Sequence, residues 1–276
     1  MAVRYTRTEF LDRLRAEIER EKPLVMTGAG NGICAKFIER GGVDILGVYN
    51  TGYFRMQGYG SLAGMLPMAD ANGMIYRIGK DEVLPQVQEV PVVAGVNGVD
   101  VLRNMRLFLE DCSRIGYSGV HNFPTVAWFD GEFRNTLEKT GLGYAHEIAM
   151  LNTAKELDML AVGYAFNSED TKILMNEAAP DIFIFHAGIT GGGSTGYTEG
   201  RDLEEMAKRS EEQFQLAREM KPDVIILAHG AALVDPDDAR YLVRETSCNG
   251  VQLGSSIERM AVEGPLEERA RAFKEL

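Results

Sequence analysis

Two histidines of this sequence directly follow short apolar segments, His186 in the run F-H-A-G and His229 in the run A-H-G-A. An imidazole changes protonation state near neutral pH, so either side chain could transfer a proton or ligate a metal. A hydrogen-bonded histidine without a chemical role explains either one alone equally well. Because the same pattern ends two successive apolar segments, we predict a joint function for the pair. His121 and His146 are weaker candidates, since the first lies inside a predicted strand and the second on a predicted helix.

The long segment from Asn50 to Asn72 contains one cation, Arg55, among aromatic residues and glycines. Long loops in compact domains are usually functional or disordered, and this composition is not that of a disordered segment. Arg55 could bind a carboxylate or phosphate through two hydrogen bonds, or it could form a surface ion pair. Asp70 could orient a base or hold a metal, with a helix cap as the equal alternative.

Glu147 follows a second long segment, which begins at Pro124. Its carboxylate could act as a general acid or base if it points inward. The alternative is an exposed glutamate in the first turn of a helix, where the helix dipole favours it. Both interpretations stay open at the level of sequence.

Eight short apolar segments alternate with amphipathic helical ones, at 24–27, 44–49, 92–96, 119–123, 160–165, 181–185, 223–228 and 250–253. Because each helix connects two strands, the sheet must be parallel, and continuous apolar strands are buried on both faces. Eight such units in about 250 residues predict an α/β fold, a (β/α)8 TIM barrel with an extra N-terminal helix over 6–21. A doubly wound open sheet is the alternative. Since no linker composition interrupts residues 1–276, we expect a single domain.

Capping residues predict where several helices begin. Asp100 and Ser168 are each followed by an amphipathic segment and are predicted as caps, and Asp235 precedes Pro236 as a cap before a first-turn proline. The helix that covers one end of the core is predicted from Thr6, whose spacing to Glu9 fits a capping box.

In a TIM barrel the chemistry lies where strands end, at the C-terminal face. Small, amide and hydroxyl residues recur at or after the predicted strand ends, and they are the candidates for substrate binding: Gly28, Gly30, Asn31, Asn50, Ser61, Asn97, Asn122, Thr190, Gly192, Gly193, Ser255 and Ser256. The pair 255–256 opens a helical stretch whose backbone N–H groups could bind an anion. The run G-A-G-N-G at 28–32 matches a dinucleotide-binding fingerprint only loosely.

The glycine-rich loop that follows the sixth strand, within 181–197, has a special position in this fold. Glycine allows positive φ and a close approach of backbone to ligand, although a flexible surface loop would have the same composition. We predict a mobile loop that closes over the barrel mouth with His186 at its hinge. His186 should then face the barrel axis, and Gly191–Gly193 should be more mobile than the neighbouring strands.

Composition argues against several classes of function. The formal net charge is −12 with acids and bases interleaved, which argues against a surface for nucleic acid or anionic membrane. No apolar run reaches the roughly 18 residues of a membrane span, and the N-terminus lacks the apolar region of a signal peptide. The three cysteines are distant and odd in number, which indicates reduced thiols. We expect a cytoplasmic protein that forms a homo-oligomer.

Four long runs carry a resemblance to a known family: GAGNGICAKFIERGGVDILGVYNTGYFRMQGYGSLAGMLPMADAN, VVAGVNGVD, GVHNFPTVAWFDGEFRNTLEKTGLGYAHEIAML and FHAGITGGGS. Together they make essentially the whole chain similar to the phosphoenolpyruvate hydrolase-like TIM-barrel family. This family is related to the C-terminal barrel of the tomato-mosaic-virus resistance protein and its bacterial relatives. The resemblance implies a barrel and hydrolysis of phosphoenolpyruvate. The acidic metal cluster and the lyase-type cysteine loop of phosphoenolpyruvate mutase-type barrels have no match in the sequence.

Three hypotheses follow. The first is an enzyme for a small anionic substrate, a 2-oxo or enol carboxylate or its phosphate, acting by hydrolysis or by lyase-type C–C or C–O cleavage. Arg55 and the glycine and serine donors would bind the anion, and His186 or His229 would move a proton with Glu147 or Asp70 as partner. The second is a barrel that binds a ligand or protein without chemistry. The third is a hydrolase in which the two histidines and a carboxylate hold one divalent ion such as magnesium, so the cofactor stays undecided.

Overall fold

The protein forms a closed barrel of eight parallel strands, seen in a computed structural model that describes residues 2–197 and 202–276. Strands adjacent in sequence are adjacent in the barrel, and the last pairs with the first. They are β1 (Leu24–Gly28), β2 (Ile45–Val48), β3 (Val92–Gly95), β4 (Gly119–His121), β5 (Leu160–Ala165), β6 (Ile182–His186), β7 (Ile225–His229) and β8 (Gly250–Leu253). The predicted segments coincide closely with these strands, and the predicted TIM barrel is confirmed.

Helices precede, connect and follow the strands. They are α1 (Arg7–Glu19), α2 (Gly32–Arg40), α3 (Asn50–Met56), α4 (Ala71–Ile78), α5 (Met105–Ile115), α6 (Gly131–Lys139), α7 (Ala145–Glu156), α8 (Ser168–Glu177), α9 (Leu203–Met220), α10 (Pro236–Glu245), α11 (Ser255–Glu258) and α12 (Met260–Lys274). Short 3-10 turns lie at Ser61–Met65 and Val126–Trp128, and a π turn lies at Gly79–Val83.

One predicted helix start is wrong by about one turn, and α8 has its predicted bounds, Ser168–Glu177, with a different cap. The helix after β3 begins at Met105 and is capped by Asn104, whose side chain accepts the Leu107 N–H group. The predicted cap, Asp100, accepts from the Leu102 N–H group and from the Arg103 guanidinium. The cap of α8 is Asn167, whose side chain accepts the Asp170 N–H group. A residue earlier in the chain thus satisfies the same free N–H groups that Ser168 was expected to satisfy.

The segment from Asn50 to Asn72, predicted as a long loop, is largely helical. It contains α3, a 3-10 turn and the first residues of α4. Its glycines and aromatic residues concealed this in the sequence, because they break the apolar periodicity that marks a helix. The consequence for the site is that Arg55 lies on a helix attached directly to β2.

The N-terminal helix closes one end of the barrel, as predicted. Thr6 and Glu9 form the predicted capping box. Phe10 and Leu14 are buried and contact the interior cluster of the barrel. Arg7 donates two hydrogen bonds, of 2.9 and 2.7 Å, to the carboxylate of Asp181 just before β6.

Side-chain alternation separates the barrel interior from the layer between strands and helices. Ile182 and Ile184 of β6 belong to the interior cluster, whereas Phe183 belongs to the outer one. Because successive side chains of a strand point to opposite faces, the residue two positions after Ile184 must also point inward. This residue is His186, and the same count along β7 leads from Leu227 to His229.

Candidate active site

A cavity opens at the C-terminal ends of the strands, between β2 on one side and β5 to β8 on the other. Six of the predicted site residues line it: His186, His229, Arg55, Ser61, Thr190 and Ser255. The other lining residues are Tyr49, Thr51, Leu62, Met65, Phe123, Trp128, Tyr164, Ile189, Gln252 and Gly254. The cavity lies at the face where barrels of this type carry their chemistry.

His186 and His229 are direct neighbours across β6 and β7. The two residues are paired in register, and their ring centroids lie 4.5 Å apart with the planes perpendicular. Phe166 stacks on the His186 ring at 4.8 Å, and Tyr164 stacks on the His229 ring at 5.5 Å. The predicted inward orientation of His186 is confirmed, since both imidazoles line the cavity.

The hydrogen-bond partner of His229 determines its tautomer. Nδ1 of His229 lies 2.7 Å from the carbonyl oxygen of Gln252. A carbonyl only accepts, so Nδ1 carries the hydrogen and Nε2 of the neutral ring keeps a free lone pair. Burial lowers the pKa of His229 to about 4, against the opposing effect of the Gln252 carbonyl and with the help of the nearby Arg55 cation. His229 is therefore a neutral acceptor at neutral pH.

His186 has the opposite tautomer. The backbone N–H of Gly188 donates to Nδ1 of His186 at 3.2 Å, so in the neutral ring the hydrogen resides on Nε2. Burial, followed by the proximity of His229 and His121, lowers the pKa of His186 well below its ordinary value. The two neighbouring rings are both neutral and differ in function, since one offers a donor and the other an acceptor.

Arg55 is the charged side chain among the described residues that line the cavity. Its Nη1 donates to Ser61 Oγ at 3.0 Å, and its Nη2 donates to the carboxylate of Glu258. Arg55 is 6% exposed and Glu258 is fully buried. Within the described part of the chain the Nε–H group of Arg55 is buried and has no acceptor. The ion pair therefore holds a guanidinium with an unused donor beside the cavity.

Glycines at the end of β1 and in α3 accommodate this ion pair. A Cβ on Gly28 would lie 2.6 Å from a carboxylate oxygen of Glu258, and a Cβ on Gly52 would lie 2.8 Å from the other oxygen. A Cβ on Gly30 would overlap the backbone of Gly52. Gly28 and Gly30 do not line the cavity, and their lack of a side chain lets the buried carboxylate and α3 approach β1. Nearby, Asn31 caps α2 by accepting the Cys34 N–H at 3.0 Å.

Glu147 and Asn122 form a buried network below the loop after β4. The Glu147 carboxylate accepts the Asn122 amide and the Val126 N–H group, both at 2.7 Å. Burial raises the pKa of Glu147 to about 7, which these donors oppose. Asn122 also accepts the Tyr164 N–H at 2.7 Å. A pKa near neutrality suits an acid–base catalyst, but neither side chain lines the cavity, and both oxygens of the carboxylate accept hydrogen bonds within the fold.

Asp70, Asn50 and Asn97 line a separate, wider groove beside β2 to β4. Asp70 caps α4, its alternative from sequence, and pairs with Arg103. The Asn50 amide donates to the Gly64 carbonyl at 2.7 Å, and the Asn97 N–H donates to the Asn72 side chain at 2.9 Å. The structure therefore does not bring these three residues together with the histidine pair.

The loop after β6 is attached to α12 through Arg259. The carbonyl of Gly192 accepts from Arg259 Nη2 at 3.1 Å, and the Ser194 N–H donates to Glu263 at 3.1 Å. Gly192 and Gly193 have φ of +79° and +65°, which require glycine, and neither lines the cavity. At the other end of the site Ser255 lines the cavity, whereas Ser256 faces away and its Oγ lies 3.4 Å from the Leu233 carbonyl.

The donor set of the cavity does not suit a divalent metal ion. Magnesium is bound mainly through carboxylate oxygens, phosphates and water. Among the described residues the lining contains no carboxylate, and its charged group is a guanidinium, which repels cations. Across residues 2–197 and 202–276 no group of three or more His, Cys, Asp or Glu side chains is arranged to hold a metal. The predicted set of two histidines and a carboxylate is therefore not assembled in the described structure.

Gln252 and Glu258 were not found from the sequence. Gln252 lines the cavity beside the histidines, and its side chain accepts from the Tyr164 hydroxyl. Counting by twos along β8 would have found it. Glu258 has no comparable signal, since only the folded chain brings it to Arg55.

No helix among the described residues is both long and apolar enough to cross a membrane. A model of the phosphoenolpyruvate hydrolase-like family matches residues 9–276. The ToMV resistance protein Tm-1(GCR237) of Solanum lycopersicum is 42% identical over 271 residues, which are 98% of this chain and 36% of that protein. The chain thus spans about a third of the length of this curated relative.

Solved structures of low sequence identity share the fold. A phosphoenolpyruvate phosphomutase from Streptomyces platensis subsp. rosaceus has a TM-score of 0.64 at 15% identity, covering 96% of this chain and 88% of that one. A phosphonopyruvate hydrolase in complex with oxalate and Mg²⁺ has a TM-score of 0.62 at 14% identity, covering 96% and 87%. The chain folds as a barrel, and the family model matches nearly all of it. This chain therefore belongs to the phosphoenolpyruvate hydrolase-like family.

Proposed function

We propose that this protein is an enzyme that transfers a proton on a small 2-oxo or enol carboxylate, or on its phosphate, and stabilises the resulting oxyanion at the barrel mouth. One observation carries the proposal. Two neutral imidazoles with opposite tautomers lie 4.5 Å apart, centroid to centroid, on a cavity that also contains a buried arginine. A ready acceptor and a ready donor beside a cation are the groups that enolate chemistry requires.

Each group has a role that follows from its free atom. The lone pair on Nε2 of His229 accepts a proton from the substrate. Nε2–H of His186 donates a hydrogen bond to the oxygen on which negative charge develops, as a neutral imidazole can. Arg55, with the hydroxyls of Ser61 and Ser255, binds the carboxylate. These roles apply as stated to cleavage of a C–C or C–O bond. In hydrolysis of an enol phosphate, His229 instead accepts the proton of the water that attacks phosphorus, and His186 donates a hydrogen bond to the enolate oxygen that leaves.

The size of the cavity supports a small substrate. The centre of a water-sized sphere can occupy about 50 Å³ among the lining residues. One ordered water needs about 10–15 Å³ on this measure, so the space corresponds to a few water molecules. Acids of three or four carbons fit this estimate better than nucleotides or sugar phosphates. The oxalate bound by the phosphonopyruvate hydrolase, a planar dicarboxylate of similar size, makes oxalate a suitable probe here.

The test is an assay of the purified protein against a panel of short 2-oxo acids and their enol phosphates. Wild-type protein should turn over at least one member, and His229→Gln and His186→Gln should each reduce kcat/KM by about 10²–10⁴-fold. His146→Gln is the matched control, because this exposed histidine lies on α7 and contacts the Gly141 carbonyl. Full activity in both cavity variants would contradict the proposed roles, as would an equal loss in the control.

The second candidate function is a barrel that binds a ligand or protein without catalysis. The 42% identity with a virus resistance protein favours it, because such a protein can act by binding alone. Under this alternative no member of the panel is turned over, while a small carboxylate still raises the melting temperature by mass action. Homo-oligomerisation remains a prediction under either function, and the sedimentation coefficient would test it.

A further inference from the structure

A carboxylate ligand in this cavity is stabilised by a positive charge beside it. We infer that the cavity binds the carboxylate of its ligand through the Arg55 guanidinium and without a divalent metal ion. This inference rests on the proposed function for the class of ligand, a small carboxylate. It goes beyond that function in stating that the guanidinium anchors the carboxylate without the divalent metal ion that the cavity could otherwise be expected to hold.

The first argument is that the Arg55 side chain is held in place while some of its N–H groups have no acceptor. Its side chain is 6% exposed, and two of its nitrogens are held by Ser61 and Glu258. Nη1 and Nη2 each carry two hydrogens, and the bonds to Ser61 and Glu258 use one of each. Because Arg55 lines the cavity, a ligand carboxylate there can accept from the remaining N–H groups.

The second argument is that the carboxylate nearest the cavity is not available to a metal. Glu258 is fully buried, accepts from Arg55 and lies against Gly28 and Gly52, behind the residues that line the cavity. If Glu258 bound a metal ion instead, the Arg55 guanidinium would lie beside a second positive charge in a region of low dielectric. The Oε2 atom of Glu258 is therefore committed to Arg55, and its Oε1 atom is buried without a hydrogen-bond partner among the described residues.

The third argument concerns the charge of the remaining lining. The histidines are neutral at neutral pH, and the other polar side-chain groups are hydroxyls, the Gln252 amide and the Trp128 indole N–H. Among the described residues that line the cavity, Arg55 is thus the source of positive charge. Its charge matches one carboxylate group, and the adjacent hydroxyls can complete the hydrogen bonds.

The experiment measures oxalate binding to the purified protein by isothermal titration calorimetry. One sample is freed of metal with EDTA and a second contains excess Mg²⁺. We expect the same dissociation constant in both, within about threefold, because the guanidinium is present in either case. Binding that disappears in EDTA and returns with Mg²⁺ would overturn the inference, and so would an absence of oxalate binding under both conditions.

Variants test whether Arg55 is the anchor. Arg55→Gln alone would leave Glu258 buried without a partner, so the neutral double variant Arg55→Gln/Glu258→Gln is used, with its circular dichroism spectrum as the check on folding. We expect binding weaker by about 100-fold or more in the double variant. Arg55→Lys, which keeps the charge but loses the planar donor set, should lose about tenfold. The matched control is Arg77→Gln, an exposed arginine paired with Glu82 on α4 and the following turn.

The outcomes separate the inference from the proposed function. A folded double variant that binds oxalate as well as wild type would overturn the inference, as would a lysine variant as weak as the neutral pair. Metal-independent binding that requires Arg55, without turnover of any panel member, would support the inference and contradict the proposed chemistry. Turnover that depends on the histidines together with metal-dependent oxalate binding would do the reverse.

Discussion

The two sides of the barrel mouth use similar residues for different purposes. On the side of β6 to β8, His186, His229 and Ser255 line a cavity, and each imidazole has one nitrogen bonded to the backbone and one left for a ligand. On the side of β3 and β4, Asn122 and Glu147 bond to each other and to nearby backbone groups. On the side of β6 to β8 polar atoms remain free for a ligand, whereas on the side of β3 and β4 they form hydrogen bonds within the fold.

This difference shows that a polar residue at a strand end is only a candidate for function. Glu147 has a pKa raised to about 7, a value often associated with catalysis, yet its environment is that of a structural acceptor. His229 has a pKa lowered to about 4 and a ring nitrogen free toward the cavity. The availability of an unbonded atom at a cavity separates the two cases better than the size of the pKa shift.

The largest effect expected from this comparison is on stability, through Glu147. Glu147→Ala should lower the free energy of unfolding by about 3 kcal/mol, because it leaves the buried Asn122 amide and Val126 N–H without acceptors. Urea denaturation measures the loss. The matched control is Asp70→Asn, which keeps a capping oxygen and removes a half-exposed ion pair, with an expected change below about 1 kcal/mol.

Turnover by the same Glu147 variant decides between the two interpretations of this residue. If Glu147 is structural, the folded fraction of Glu147→Ala retains kcat within about an order of magnitude. A variant of normal stability with a kcat reduced by about 10²-fold or more would instead identify Glu147 as the proton-transfer partner that the sequence suggested.

An intermediate effect is expected in the titration of the histidine pair. Because burial lowers the pKa of both rings, each is neutral from pH 8 down to pH 6 and takes up a proton only as pH falls further, for His229 near pH 4. The imidazole NMR signals, assigned by their absence in His186→Gln and His229→Gln, should therefore not shift between pH 8 and pH 6. A titration step near pH 6.5 in either signal would show that the cavity is wetter than the structure indicates.

The smallest effect is expected in the loop after β6. The amides of Gly192 and Gly193 should exchange with deuterium faster than those of β6 and β7, which are bonded in the barrel. Glu263→Ala removes the acceptor of Ser194 and Arg259 and should accelerate exchange further, by a free energy below about 1 kcal/mol. Equal protection in loop and strands would contradict the predicted mobility of Gly191–Gly193.

The fold could be predicted from the sequence because it depends on local patterns repeated many times. Apolar segments of strand length, separated by amphipathic helices, specify a parallel barrel whatever the errors in single elements. The helix start predicted at Asp100 is wrong, and the barrel is unaffected, because a cap contributes only about 1 kcal/mol.

The histidine pair could also be predicted in part. Strand ends of a parallel barrel meet at one face, so His186 and His229 had to be close once the barrel was assigned. Alternation by twos could have added Gln252. Which nitrogen of each ring carries the hydrogen was not accessible, since it depends on the Gln252 carbonyl and the Gly188 N–H group, which only the folded backbone places.

By itself, the sequence determined the barrel, the face at which the chemistry lies and the two imidazoles on it, because hydrophobic periodicity and strand direction are local properties of the chain. Only the tertiary structure decided which polar groups remain free. Arg55 and Glu258 are 203 residues apart in sequence and form a buried ion pair. Asp70, Asn97 and Asn122 are of the same residue types as the site residues, but their side chains form hydrogen bonds within helix caps and loops. The physical reason is that hydrogen-bond partners are assigned by long-range packing, which no local spacing encodes.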